Sequence, residues 1–151
     1  MLAFLLVGCS KYDAVRKSLD FLKADSFPCD VVRVKDGDLF YCQPSNRDTE
    51  KIKLIGVEIP EPVEEKATAF TKSLLKRGTP VKLEFDEEAR DSYGYILAYV
   101  HLPGGKILNN LLIQEGYAQV MINSPNFKYK DLFLKLEKEA KKQDKGLWGK
   151  Q

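Results

Sequence analysis

Two short acidic stretches are where this chain could do chemistry: Asp36-Gly37-Asp38 and Glu58-Ile59-Pro60-Glu61. In the second, two carboxylates stand astride a rigid Ile-Pro step, just where a β-like run ends at Val57. Carboxylates so placed offer hard oxygen ligands to a divalent cation, or a base to activate water. Lys53 is the cation near them in sequence. The same residues have a plainer reading. Asp-Gly supplies the backbone angles of a hairpin turn, and Glu61, Glu64 and Glu65 suit the first turn of a helix. Chemistry that needs several histidines is poorly supported, because His101 is the single histidine.

The elements that must position these acids follow from composition and periodicity. With 151 residues, 44% hydrophobic and 30% charged, the chain has the length and composition of one globular domain with a real core. A net charge of +2 neither demands nor excludes nucleic acid, since a local basic face matters more than the sum. "DVVRV" and "LFYCQ" flank the turn signal Asp36-Gly37 and read as a hairpin, and "KIKLIGV" reads as a third strand. Pro60 and Pro62 end that strand. Val63, Ala67, Phe70 and Leu74 then recur at helical spacing. "VKLEF" and "YILAYVHL" are two more strands, and a short helix around Leu108, Leu111 and Leu112 stops at Gly116. After the short extended piece "YAQVMI", a closing helix places Tyr129, Leu132, Phe133, Leu136 and Ala140 on one face. Three strands, a helix, two strands and two helices is the order of a five-stranded Greek-key OB-fold barrel, an α+β and mainly β class.

The N-terminus reads differently. Leu2 to Val7 are apolar, and "LVGC" resembles the bacterial lipobox, in which the cysteine is lipidated. That resemblance implies export, a signal segment over residues 1–8 and a membrane anchor on Cys9, for a cell-envelope lipoprotein or a secreted protein. The alternative is an ordinary apolar segment with a small buried cysteine. Residues 9–29 are expected as a linker with a short helix, on which Tyr12, Val15, Leu19 and Leu22 share a face. In an exported chain Cys29 and Cys42, which flank the hairpin turn, could form a disulfide; two buried free thiols are the other reading.

"VVRVKDGD", "IKLIGVEIPE", "EFDEEARDSYGYILAYV", "LNNLLIQEGYAQV" and "LEKEAKKQDKGLWG" occur in this order and spacing. Together they resemble the staphylococcal nuclease (thermonuclease) family over about residues 30–149. The resemblance implies an OB barrel with three helices that hydrolyses DNA and RNA phosphodiesters with a calcium ion. It implies that Asp38 and Glu58 ligate the metal, that Asp36 lies near the metal pocket, and that Glu61 activates water. Lys53 and Tyr95 stand where the family has its two phosphate-binding arginines, and Tyr93 keeps a nucleotide-stacking position. A second stacking pair is not matched, since the chain reads Ile122 and Asn123 there.

The acids therefore survive while the cations are substituted. Lys53 keeps the charge without the bidentate fork, and Tyr95 offers a neutral hydroxyl. Arg90 stands nearby in sequence. The expectation is a monomeric, metal-dependent nuclease with an altered and impaired site. The alternative is a catalytically inactive OB module that binds nucleic acid or an envelope partner.

Overall fold

The computed structural model describes residues 26–122, 125–126 and 128–150. The signal segment, Cys9 and the short N-terminal helix lie outside them, as does Asn123.

Five strands close into a barrel in the order β1-β2-β3-β6-β5. They are β1 (Ser26–Asp36), β2 (Leu39–Pro44), β3 (Glu50–Leu54), β5 (Pro80–Glu84) and β6 (Ile96–His101). All neighbours run antiparallel except β3 and β6, which run parallel and complete the closure. β4 (Val57–Glu58) and β7 (Gln119–Val120) form a small separate ribbon. Three α-helices cover the barrel: α1 (Glu64–Leu74), α2 (Leu108–Gln114) and α3 (Lys130–Lys142). This is the OB-fold arrangement expected from the order of elements.

The alternating apolar residues go inward. Phe40, Ile52, Leu83, Ile96, Ala98 and Val100 are fully buried, and Leu108, Leu112 and Ile113 of α2 join them. Asn109 is a polar staple inside this core. Its amide donates to the Ile55 carbonyl at 2.9 Å, and its oxygen accepts the Val100 N–H at 3.0 Å. A buried amide satisfied on both sides fixes α2 to β6 and to the corner after β3.

Three details differ from the periodicity. β1 begins at Ser26 and runs through Pro28, within the stretch 9–29 expected as a linker. Pro28 is tolerated because β1 pairs only with β5 there; pairing with β2 begins at Cys29. The third strand splits into β3 and β4 at Gly56, whose φ of 76° and close approach to Phe133 leave no place for a side chain. Leu132 falls off the buried face of α3, at 39% exposure, while Phe133 and Ala140 are buried. Cys29 and Cys42 are bonded, with Cα atoms 5.8 Å apart, and tie β1 to β2.

Candidate active site

β1 closes at Asp36 and β2 opens at Leu39, leaving Gly37 and Asp38 as the turn. The turn is clamped from below. Thr71, fully buried in α1, donates its hydroxyl to the Gly37 carbonyl at 2.7 Å. The Leu54 N–H donates to the Asp38 carbonyl at 3.0 Å. Gly37 has no room for a side chain: a Cβ would lie 2.5 Å from Ile59 Cδ1 and 2.9 Å from Ala67 Cβ. Ile59 is therefore the wedge that seats residues 58–61 against the acidic turn. An apolar residue between two acids has a structural duty.

Each carboxylate then finds its own setting. Asp38 Oδ2 lies 3.3 Å from Lys53 Nζ. With the Lys53 side chain 37% exposed, water screens this pair, and it is worth no more than about 1 kcal/mol. Glu58 is exposed at the end of β4 and accepts from Gln119 Nε2 of β7 at 2.7 Å. Glu61 is exposed and opens a 3₁₀ turn, Glu61–Val63, that leads into α1. Asp36 is half-buried.

The cationic side is more scattered. Tyr95 directs its ring towards Lys51, whose Nζ lies 5.1 Å from the ring centre, and towards Tyr93 at 6.1 Å. Asp91 Oδ1 accepts the N–H groups of both Tyr93 and Tyr95 at 2.9 Å, which fixes that turn. Arg90 holds Glu50 through both guanidinium nitrogens, at 2.9 and 3.1 Å, and donates to the Gly94 carbonyl at 2.7 Å. A bidentate pair of this kind commits Arg90 elsewhere.

Beside Lys53 lies a cleft of about 340 Å³. Leu97, Met121 and Ile122 give it apolar walls, and Glu88, Asp91 and Asn126 give it polar ones. Its far wall is tied down by reciprocal hydrogen bonds between Asn126 and the Glu88 backbone, at 2.8 and 3.0 Å. Below that wall, Glu84 is buried and gathers His101 Nε2 at 2.5 Å, Tyr129 Oη at 3.0 Å and Lys128 Nζ. Burial alone would push the Glu84 carboxyl up. The hydrogen bonds from Lys128, His101 and Tyr129 outweigh it and hold the carboxyl below its ordinary value. Burial and the bond to Asp86 push the Tyr99 hydroxyl in the opposite direction.

Among the described residues, no three Asp, Glu, His or Cys side chains gather to hold a metal ion. Calcium takes six to eight oxygens. Asp38 is engaged by Lys53 and Glu58 by Gln119, so these side chains as arranged do not form a calcium cage.

A family model described as staphylococcal nuclease homologue matches residues 51–150. The chain belongs to the staphylococcal nuclease family. It is 37% identical over 142 residues to the thermonuclease of Staphylococcus intermedius, covering 88% of this chain and 82% of that protein. It is 33% identical over 141 residues to the thermonuclease of Staphylococcus hyicus, covering 87% and 82%. It is 35% identical over 129 residues to the SPbeta prophage-derived endonuclease YokF of Bacillus subtilis, covering 78% of this chain and 43% of that protein. Coverage of 88% of this chain necessarily takes in both acidic stretches. As a nuclease-family barrel, the chain also depends on residues that its sequence does not advertise. Thr71 is four residues after Ala67 and so shares the buried face of α1, yet a mid-helix threonine reads as a surface residue. Gln119 and Asn126 carry no local signal.

Proposed function

We propose that this protein is a metal-dependent nuclease that hydrolyses DNA or RNA phosphodiesters at the Asp38–Lys53 corner, with catalysis weakened on its cationic side. One observation carries the reading: the clamp of Thr71, Ala67 and Ile59 seats the Asp36–Asp38 turn against the Glu58–Glu61 segment, and Lys53, paired with Asp38, lines the adjoining cleft. In this reading Lys53 meets the scissile phosphate and releases Asp38 as it does so. Glu61, exposed and at the head of its 3₁₀ turn, takes the proton from the attacking water. A base of the substrate lies in the cleft against Leu97 and Ile122, and Tyr93, 82% exposed, stacks on another. Calcium is the metal we assign, to neutralise developing charge. Asp38, Glu58 and Asp36 are its candidate ligands, although their present arrangement makes no cage.

The weakness has a physical basis. Removing one preorganised charge donor costs roughly 10²–10³ in rate, and an arginine that stabilises phosphoryl-transfer charge is worth roughly 10³–10⁵. Lys53 is a point charge without the fork, the Tyr95 ring faces Lys51, and Arg90 is bound to Glu50. The experiment is cleavage of single-stranded DNA with calcium, against a Glu61→Gln control. Cleavage by wild type above that control supports the assignment, and identical traces reject it. A non-catalytic module that binds nucleic acid or an envelope partner is favoured by one observation, the Lys53–Asp38 pair that neutralises both groups.

We also propose that the chain works outside the cytoplasm as a monomer, lipidated on Cys9 or secreted. The bonded Cys29–Cys42 pair supports an oxidising compartment. Palmitate labelling that disappears in Cys9→Ser tests the anchor, and light scattering tests the monomer.

A further inference from the structure

A second feature of the barrel surface lies outside the acids and meets the cleft only through Asp91. Arg33 of β1 stands opposite Tyr41 of β2, and Tyr41 stands opposite Lys51 of β3. The guanidinium carbon of Arg33 lies 3.9 Å from the Tyr41 ring centre. Lys51 Nζ lies 5.7 Å from the same ring and 5.1 Å from the Tyr95 ring. Tyr95 in turn meets Tyr93 at 6.1 Å. Cation and aromatic thus alternate across three adjacent strands and end in two tyrosines. Strand spacing makes the Arg33-to-Lys51 part about 10 Å long.

This row sits on the outer face of the barrel. Arg33 and Lys51 are exposed, while Ile52, next to Lys51, and Cys42, next to Tyr41, fill the core. Lys51 and Lys53 are two residues apart on one strand, so the row passes roughly 7 Å from the Asp38–Lys53 corner.

We propose that this cation–aromatic row is a binding track for single-stranded nucleic acid, leading an unpaired strand to the acidic corner. Charge complementarity selects a polyanion, because Arg33 and Lys51 are the charged rungs of the row. The aromatic rungs select among polyanions. A base can stack on a tyrosine or a guanidinium plane only when it has left its own stack, which a single strand allows and a duplex does not. An exposed cation–π pair is weaker than a base stacked on an aromatic face, so the internal Arg33–Tyr41 contact yields to the ligand. Asp91, by accepting from both tyrosine N–H groups, holds the last two rungs ready before a strand arrives. The row addresses a few nucleotides, the short end of the roughly 4–16 that an OB barrel covers.

The track takes its ligand class and Tyr93 from the nuclease reading but shares none of the acidic residues, and Tyr41 and Lys51 belong to the track alone, so the two can fail separately. The test is fluorescence anisotropy in chelator, where no metal-dependent cleavage intervenes, with a labelled oligothymidylate and a hairpin duplex. Tyr41→Ala should weaken oligothymidylate binding roughly 5- to 100-fold, and Tyr41→Phe should retain it. Lys51→Gln should lower the log–log salt slope by about 0.7. Melting curves check folding, and if Tyr41→Ala fails to fold, the exposed Lys51→Gln decides. The proposal is overturned if wild type does not bind oligothymidylate, if it prefers the duplex or an acidic peptide, or if the variants bind and respond to salt as wild type does. A protein that cleaves nucleic acid but ignores these substitutions loses the track and keeps the nuclease assignment. One that binds through Tyr41 and never cleaves keeps the track and loses that assignment.

Discussion

Replacing Gly37 by alanine asks whether the clamp beneath the acidic turn holds the site. The added methyl would lie 2.5 Å from Ile59 Cδ1, 2.9 Å from Ala67 Cβ and 3.0 Å from the Ala67 carbonyl carbon. The end of Ile59 can rotate aside. The backbone of α1 cannot move unless the helix moves. Overpacking of this kind costs about 1–3 kcal/mol. Gly37 is not among the residues with positive φ, so alanine also gains about 0.4–1 kcal/mol by restricting the unfolded chain. The balance is a net loss of about 1 kcal/mol, read as a lower urea midpoint at constant slope. A domain of ordinary stability, about 5–15 kcal/mol, stays almost wholly folded after such a loss. Cleavage by the folded variant therefore reports geometry. A displacement of about 1 Å between the turn and Glu61 lowers the rate about 10²-fold. An unchanged midpoint would refute the steric account. A lowered midpoint with unchanged cleavage would show that the clamp supports the fold but not the site.

Other perturbations test other parts. Lys53→Arg combined with Tyr95→Arg should raise calcium-dependent cleavage at least about tenfold, yet short of the roughly 10³–10⁵ that an arginine can supply, because the residue at 95 faces Lys51; no gain in initial rate would mean that the cations do not limit turnover. Cys29→Ala with Cys42→Ala removes a crosslink spanning 13 residues and should lower the unfolding free energy by about 3 kcal/mol, with reductant then having no further effect on the urea midpoint. Glu84 has its carboxyl held below the ordinary 4.5, so its contribution is complete above that value and is lost as pH falls through its folded-state value. Glu84→Gln should therefore lower stability at neutral pH and shrink the acid-side decline in unfolding free energy; an unchanged decline would place the acid sensitivity elsewhere.

What the sequence discloses here depends on whether a residue's role is local. Asp36-Gly37 announces a hairpin because tight turns favour those residue types, but the turn falls one residue later, at Gly37-Asp38, and Gly37 is needed for the close approach of Ile59 and Ala67 rather than for a positive φ. Val81 and Leu83 alternate because one face of β5 is buried, and both are in the core. Long-range roles leave weaker marks. Nothing around Gly56 shows that Phe133 approaches it, so β3 and β4 read as one strand. Pro28 looks like a strand breaker until it is known that β1 has a partner on one side only at that point. The partners of the acids are equally hidden. Gln119 reaches Glu58 across 61 positions, and Thr71 reaches Gly37 across 34. The nuclease resemblance points to these acids, but it could not show that Ile59 is the wedge between them.

The two halves of the site are therefore under different physical constraints. The acidic half is woven into the fold: moving Gly37 or Ile59 disturbs α1, and the Asp38 carbonyl is bonded to β3. The segments that bear the acids are therefore held by contacts on which stability depends. The cationic half stands on the outside of the barrel, where Lys53, Lys51 and Tyr95 make only screened or aromatic contacts. Exchanging such side chains costs the fold little, within about 0.5 kcal/mol for surface positions away from special features. An OB barrel can thus hold its acidic segments in place while side chains on its outer cationic face are exchanged at little cost to the fold.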